Sequence, residues 1–71
     1  MKSTIGINVK RLLEERKMTQ ADLSRKSGIS TANISLIVNG KRNIRLHTLR
    51  LLCDTLGCSS EDIIKGVGDE R

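Results

Sequence analysis

Few side chains in this sequence could carry chemistry, and they fall into three groups. The single histidine, His47, has no second histidine, cysteine or carboxylate at ligand spacing, so it reads as a surface or capping residue rather than a metal ligand or a catalytic base. Cys53 and Cys58 stand five apart across a turn that Gly57 interrupts; core packing is the first reading, with redox or metal chemistry as the alternatives. The third group is "SGISTANISLIVNG", residues 27–40, which holds no charged side chain although Lys26 precedes it and Lys41 and Arg42 follow. Hydroxyls, amides and methyl groups between basic shoulders form a surface that can discriminate, flanked by one that can grip an anion.

Nothing in the sequence supports an enzyme. No nucleophile has a recognisable base, and the chain is too short to enclose a substrate pocket of ordinary size. "GVG" at 66–68 lacks the preceding strand and following helix of a phosphate-binding loop. No cofactor, no metal and no small-molecule ligand is therefore expected.

The bulk properties narrow the partner. A chain of 71 residues makes one domain, and one this small buries only about 60% of its unfolded surface, so it gains from a partner subunit. The formal net charge is +5. Residues 1–60 hold 11 Lys and Arg against four acids, whereas residues 61–71 hold two against four, so the basic surface belongs to the body and not to the end. That charge points to a polyanion. Phe, Tyr and Trp are all absent, which removes the stacking platforms that hold single strands and favours a duplex. No apolar run is long enough to span a membrane, and the N-terminus has no signal-peptide pattern. Two cysteines are too few for a secreted disulfide scaffold, so both are expected as reduced thiols in a cytoplasmic protein.

The apolar spacing is helical almost throughout, and there is no proline. Ile5, Val9, Leu12 and Leu13 predict a first helix over about 4–17. Thr19 and Asp22 have the spacing of a reciprocal capping box that opens a second helix to Ser27, closed by Gly28. Ser30 caps a third, from Thr31 to Val38, stopped by "NG" at 39–40. Leu46, Leu49, Leu52, Cys53 and Leu56 mark the apolar stripe of a fourth helix, and Ser59 with Asp62 opens a short fifth carrying Ile63 and Ile64. The expectation is an all-α domain over 1–65 and a short flexible tail over 66–71. Between Gln20 and Asn39, a short helix, a tight turn at Gly28 and a second helix have the grammar of a helix-turn-helix, with Leu23, Ile29, Ile34 and Ile37 inward and small Ser24 allowing close approach.

"MTQADLSRKSGISTANISLIVNGKR", followed by "TLRLLCDTLGCSSEDII", resembles the phage repressor and Cro-like helix-turn-helix family over roughly residues 5–65. The resemblance rests on coupled features: "TQADL", the "SGIS" turn, "NGKR" and the closing "TL…LC…LGCS…DII" frame. It implies a compact five-helix bundle, double-stranded DNA as partner and symmetric homodimers on operator DNA. Helical steps of 100° from Ile34 put Thr31, Ile37 and Val38 on the buried side and turn Ala32, Asn33, Ser35 and Leu36 outward. In the family, the outward face and the start of this helix read base edges, which assigns that role to Thr31, Ala32, Asn33, Ser35 and Leu36. Asn33 would pair with adenine, Ala32 and Leu36 would touch thymine methyl groups, and Thr31 and Ser35 would donate or accept. Gln20, Ser30, Lys41, Arg42 and Arg45 would hold the phosphate backbone.

The sequence departs from the family where many members pair an Arg late in helix one with a Glu before the "NG" stop: those places hold Leu13 and Val38. Apolar packing in place of an ion pair is the expected outcome. The functional expectation is a sequence-specific repressor of phage or prophage type on an inverted repeat. The alternative is a protein-interaction module, such as an antitoxin or regulatory subunit, using Ala32 and Leu36 as an apolar strip. Architectural binding without sequence preference is a third possibility.

Overall fold

The computed structural model describes residues 4–65. Among them are five helices and no strand: α1 (Thr4–Glu15), α2 (Gln20–Ser27), α3 (Thr31–Val38), α4 (Leu46–Leu56) and α5 (Ser60–Ile64). The all-α expectation holds. The tail assigned to 66–71 lies outside the described residues. Helix α1 ends two residues sooner than its apolar spacing predicts, because Lys17 adopts a left-handed φ of 53°. The Met18 N–H then closes back on the Leu13 carbonyl at 2.9 Å.

The caps form where the sequence places them. Thr19 Oγ1 accepts from the Asp22 N–H and the Asp22 carboxylate accepts from the Thr19 N–H, both at 3.0 Å. Gly28 closes α2 at φ 82°, a left-handed conformation that glycine adopts at no steric cost. At α5, the Asp62 carboxylate accepts from the Ser59 N–H at 3.1 Å.

One core joins all five helices. Val9, Leu12 and Leu13 from α1, Leu23 from α2, Ile29 from the turn, Ile34 from α3, Leu52 and Leu56 from α4 and Ile63 from α5 form a single buried cluster. Val38 packs against the cluster that contains Leu13, so the two positions that replace an ion pair share the same apolar body. Leu46, expected in the apolar stripe of α4, is 74% exposed. It sits at the first residue of the helix, where the chain has not yet reached the core, so the stripe begins at Leu49. Cys53 and Cys58 are partly buried against the core, as expected of small apolar positions.

Two polar contacts fasten the ends. Asn8, buried in α1, donates to the carbonyls of Ile63 at 2.8 Å and Lys65 at 2.9 Å, and so ties down the end of α5. Arg16 Nε donates to the Leu56 carbonyl at the end of α4. No helix among the described residues is long and apolar enough to cross a membrane.

Helix α1 meets the end of α3 at Gly6. A methyl group there would lie 2.8 Å from the Ile37 carbonyl oxygen and would also run into that of Val38. Both obstacles are backbone, so the helices would have to part. Gly6→Ala is expected to cost about 1–3 kcal/mol, the usual range for overpacking, read as a lower midpoint in urea. A midpoint at or above the parent's would remove the close approach as a constraint.

Candidate nucleic-acid interface

The helix-turn-helix is assembled from residues 20–38. Leu23 of α2 and Ile34 of α3 are almost wholly enclosed, and Ile29 in the turn is buried between them. Ser24 does more than make room: its hydroxyl donates to the Ile29 carbonyl at 2.5 Å and so fixes the turn to α2. The Ile29 N–H in turn donates to Ser27 Oγ at 3.1 Å. These contacts set the angle at which α3 leaves the turn.

The proposed base-reading residues do not share one environment. Ala32 is exposed as the helical wheel predicts. Thr31, which the wheel turns toward the core, is exposed as well. The core residues of α3 are Ile34 and Ile37, and the first turn projects past them, so axial position overrides angular position. Ser35 and Leu36, expected to face outward, are half-buried. Asn33 is also half-buried, and its Oδ1 is enclosed without a hydrogen-bond partner. An enclosed oxygen cannot accept from a base in this rotamer, so pairing with adenine requires χ rotation of Asn33.

Asn33 borders an open concavity of about 810 Å³ between α3 and the start of α4, lined also by Ile37, Arg42, Asn43, Arg45, His47 and Thr48. Arg42 and Arg45 were expected at a phosphate surface, and the structure brings them together here; Lys41 is exposed beside them but does not line the hollow. Asn43 and Thr48 were not identified from the sequence, and His47, read there as a surface or capping residue, lines the hollow as well. The missed signal was the uncapped start of α4: Arg45 occupies the cap position and makes no side-chain cap hydrogen bond. The first N–H groups of α4 and the positive end of its dipole thus lie beside the hollow, as an anion site requires. Among the described residues, Lys41, Arg42 and Arg45 make no ion pair, so their charges are uncommitted.

The start of α2 is different. Gln20 is half-buried there, but Asp22 caps the same turn and pairs with Arg25 at 2.7 Å. The Thr19 backbone and Arg25 hold the Asp22 carboxyl down at about 2. It is therefore ionised at neutral pH and offsets the helix dipole at Gln20. Ser30 caps α3, its Oγ accepting from the Asn33 N–H at 3.1 Å, which leaves the hydroxyl proton free to donate. Among the described residues, no group of three or more His, Cys, Asp or Glu side chains could hold a metal ion.

A short helix, a glycine turn and a half-exposed second helix flanked by unpaired cations define a helix-turn-helix DNA-binding domain. Residues 8–69 match the model of the Cro/C1-type HTH DNA-binding domain, and the chain belongs to that family. It is 43% identical over 67 residues to YozG, an HTH-type transcriptional regulator of Bacillus subtilis strain 168, covering 93% of this chain and 80% of that protein. It is 36% identical over 66 residues to the HTH-type transcriptional repressor RghR of the same organism, covering 92% of this chain and 49% of that one. Among solved structures, the restriction-modification controller protein C.Esp1396I in a tetramer with its natural 35 base-pair operator superposes with a TM-score of 0.80 at 28% identity, covering 94% of this chain and 88% of that chain.

The capping box gives the interface a pH dependence of its own. A carboxyl depressed in the folded state stabilises it above its unfolded pKa, and the contribution is lost as pH falls through the folded value. For Asp22 that window runs from 3.8 down to about 2. Asp22→Asn is expected to flatten the acid-induced loss of stability across that window and to lower stability at neutral pH. Parallel pH profiles in parent and variant, followed by circular dichroism, would show that the box contributes nothing.

Proposed function

We propose that this chain is a repressor of phage type that binds an inverted-repeat operator as a homodimer, with one α3 in the major groove of each half-site. The coarser part follows from the family: the chain is a DNA-binding transcriptional regulator. The observation that carries the finer reading is the pairing of an exposed, neutral α3 start with a basic hollow beside it. Thr31 and Ala32 stand free at the tip of α3. Beyond the end of α3, Arg42, Arg45, His47 and the open start of α4 converge on one concavity.

Each group then has a part in binding. A backbone phosphate in the hollow would take charge from Arg42 and Arg45, hydrogen bonds from Asn43, Thr48 and the α4 N–H groups, and register from its fixed distance to α3. Lys41 grips the neighbouring backbone, and Ser30 donates its hydroxyl proton to a phosphate at the start of α3. Gln20 serves as a side-chain donor on the far strand of the groove, since Asp22 weakens its helix terminus as an anion site. Base reading falls first on Thr31 and Ala32, with Asn33, Ser35 and Leu36 reaching the floor of the groove from their half-covered places. Leu36 is half-buried, so the apolar strip that would favour a protein-interaction module shrinks to Ala32, and the regulator reading stands ahead of it. Exposed Ile7 and Ile64 lie on α1 and α5, helices that pack together, and supply apolar surface for the second copy. A role on DNA places the protein in the cytoplasm.

Selection from a pool of random duplexes, with the label on the DNA, tests this directly. An inverted repeat with half-sites about one helical turn apart is expected, together with affinity that falls steeply with salt. A steep salt slope with no motif would mean that α3 reads nothing and the chain is architectural. No binding at low salt would sink the DNA reading, and a monomer on the operator by sedimentation would remove the dimer.

Arg42→Ala and Ala32→Asp separate grip from readout on the selected site. The first is expected to weaken binding to all sequences and to lower the salt slope by about one. The second should abolish the preference for the selected site. If Arg42→Ala changes sequence preference while leaving the salt slope intact, the hollow is not a phosphate site.

A further inference from the structure

We propose that Cys53 and Cys58 form a dithiol that closes reversibly to an intramolecular disulfide across the C-terminal cap of α4. Gly57 ends this helix in the left-handed conformation, at φ 65° and ψ 39°, and its N–H is directed at the Cys53 carbonyl. The Cys58 N–H reaches the same carbonyl at 3.1 Å. In this type of helix end the residue after the left-handed one folds back over the residue five places earlier, and their side chains meet. That place usually holds an apolar pair; here it holds two thiols, both free and both half-buried.

The surroundings agree with side-chain contact. Burial raises both thiols above their ordinary range, and each lies close enough to influence the other. Arg16, already bonded to the Leu56 carbonyl, lowers Cys58, while Asp62 raises both and Asp54 raises Cys53. Thiols raised in this way hold little thiolate at neutral pH and meet any oxidant slowly, so what favours closure is their being held side by side. The thiolate of one cysteine attacks the O–O bond of hydrogen peroxide, giving a sulfenic acid and hydroxide. The second thiol then attacks that sulfur, forms the S–S bond and releases water. In sum, two thiols and one peroxide give one disulfide and two waters. A dithiol reductant reverses it. The bond ties the last turn of α4 to the approach of α5, at the end of α4 remote from the basic hollow, so the proposal stands independently of DNA binding.

Brief treatment of the native protein with hydrogen peroxide, followed by alkylation, tryptic digestion and mass spectrometry, tests this. Cleavage after Arg50 and Lys65 leaves both cysteines in one fragment, residues 51–65. The expected product is that fragment lacking two hydrogens, unalkylated and restored by dithiothreitol. Equilibrated against reduced and oxidised dithiothreitol, the closed form should be favoured at least about tenfold more in the folded protein than in urea, because the fold holds the thiols together. Gly57→Val, which strains the left-handed cap and keeps both thiols, should bring that constant toward the urea value. Equal constants in folded and unfolded chains would overturn the proposal. So would oxidation that stops at a sulfenic or sulfinic acid on one sulfur, or that joins two chains instead.

Discussion

The burial of Leu23 against Ile34 is the interaction on which the rest of this molecule depends. Helix α3 has eight residues, too few to persist alone in water. Its first turn must stay uncovered if it is to enter a groove, so its order has to come from behind. Ile34 supplies that anchorage in the cluster it shares with Leu23 and Ile29, and Ile37 is buried beside the hollow. Fully burying one side chain of this size stabilises by about 1.5–3 kcal/mol, which is a large part of what so small a domain can hold in reserve. The Ser24 hydroxyl on the Ile29 carbonyl then converts attachment into orientation. Gly6 matters for the same reason: without a side chain there, α1 closes on the far end of α3 and prevents it from tipping.

Charge is distributed on a different plan from burial. Helix termini in this chain are closed by side chains at α2, α3 and α5 and left open at α4. Each cap removes a place where an anion could bind, and Asp22 adds a negative charge that repels one. Among α2 to α5, the start without a side-chain cap is the one beside Arg42, Arg45 and His47.

The fold was legible because its determinants are local. Apolar spacing, Thr19 with Asp22, Ser30, Gly28 and Gly57 announce the helices and their ends without reference to anything distant. The errors came where position along an axis competes with position around it. Thr31 and Leu46 both point toward the core by angle, yet both lie on first turns that overhang it. Leu36 and Ser35 point away by angle and are nevertheless half covered. The hollow was invisible for a related reason, since it is made by a loop and a helix start meeting across space, and its strongest signal is a capping residue that is not there. Asn8 gave no signal at all, because its two partners are backbone carbonyls 55 and 57 residues away.

Leu13 and Val38 bring these strands together. Many relatives of this type place an ion pair where this chain packs both residues with its apolar core. Among the described residues the buried polar side chain is Asn8, which is uncharged, and no ionised group lies in the core. Added salt screens exposed charges and leaves apolar burial nearly untouched. The angle of α3 is thereby set by forces that ionic strength does not reach, while Lys41, Arg42 and Arg45 remain exposed to it. Presentation and charge are thus decoupled in this chain: added salt screens the cations beside α3 without altering which way the helix points.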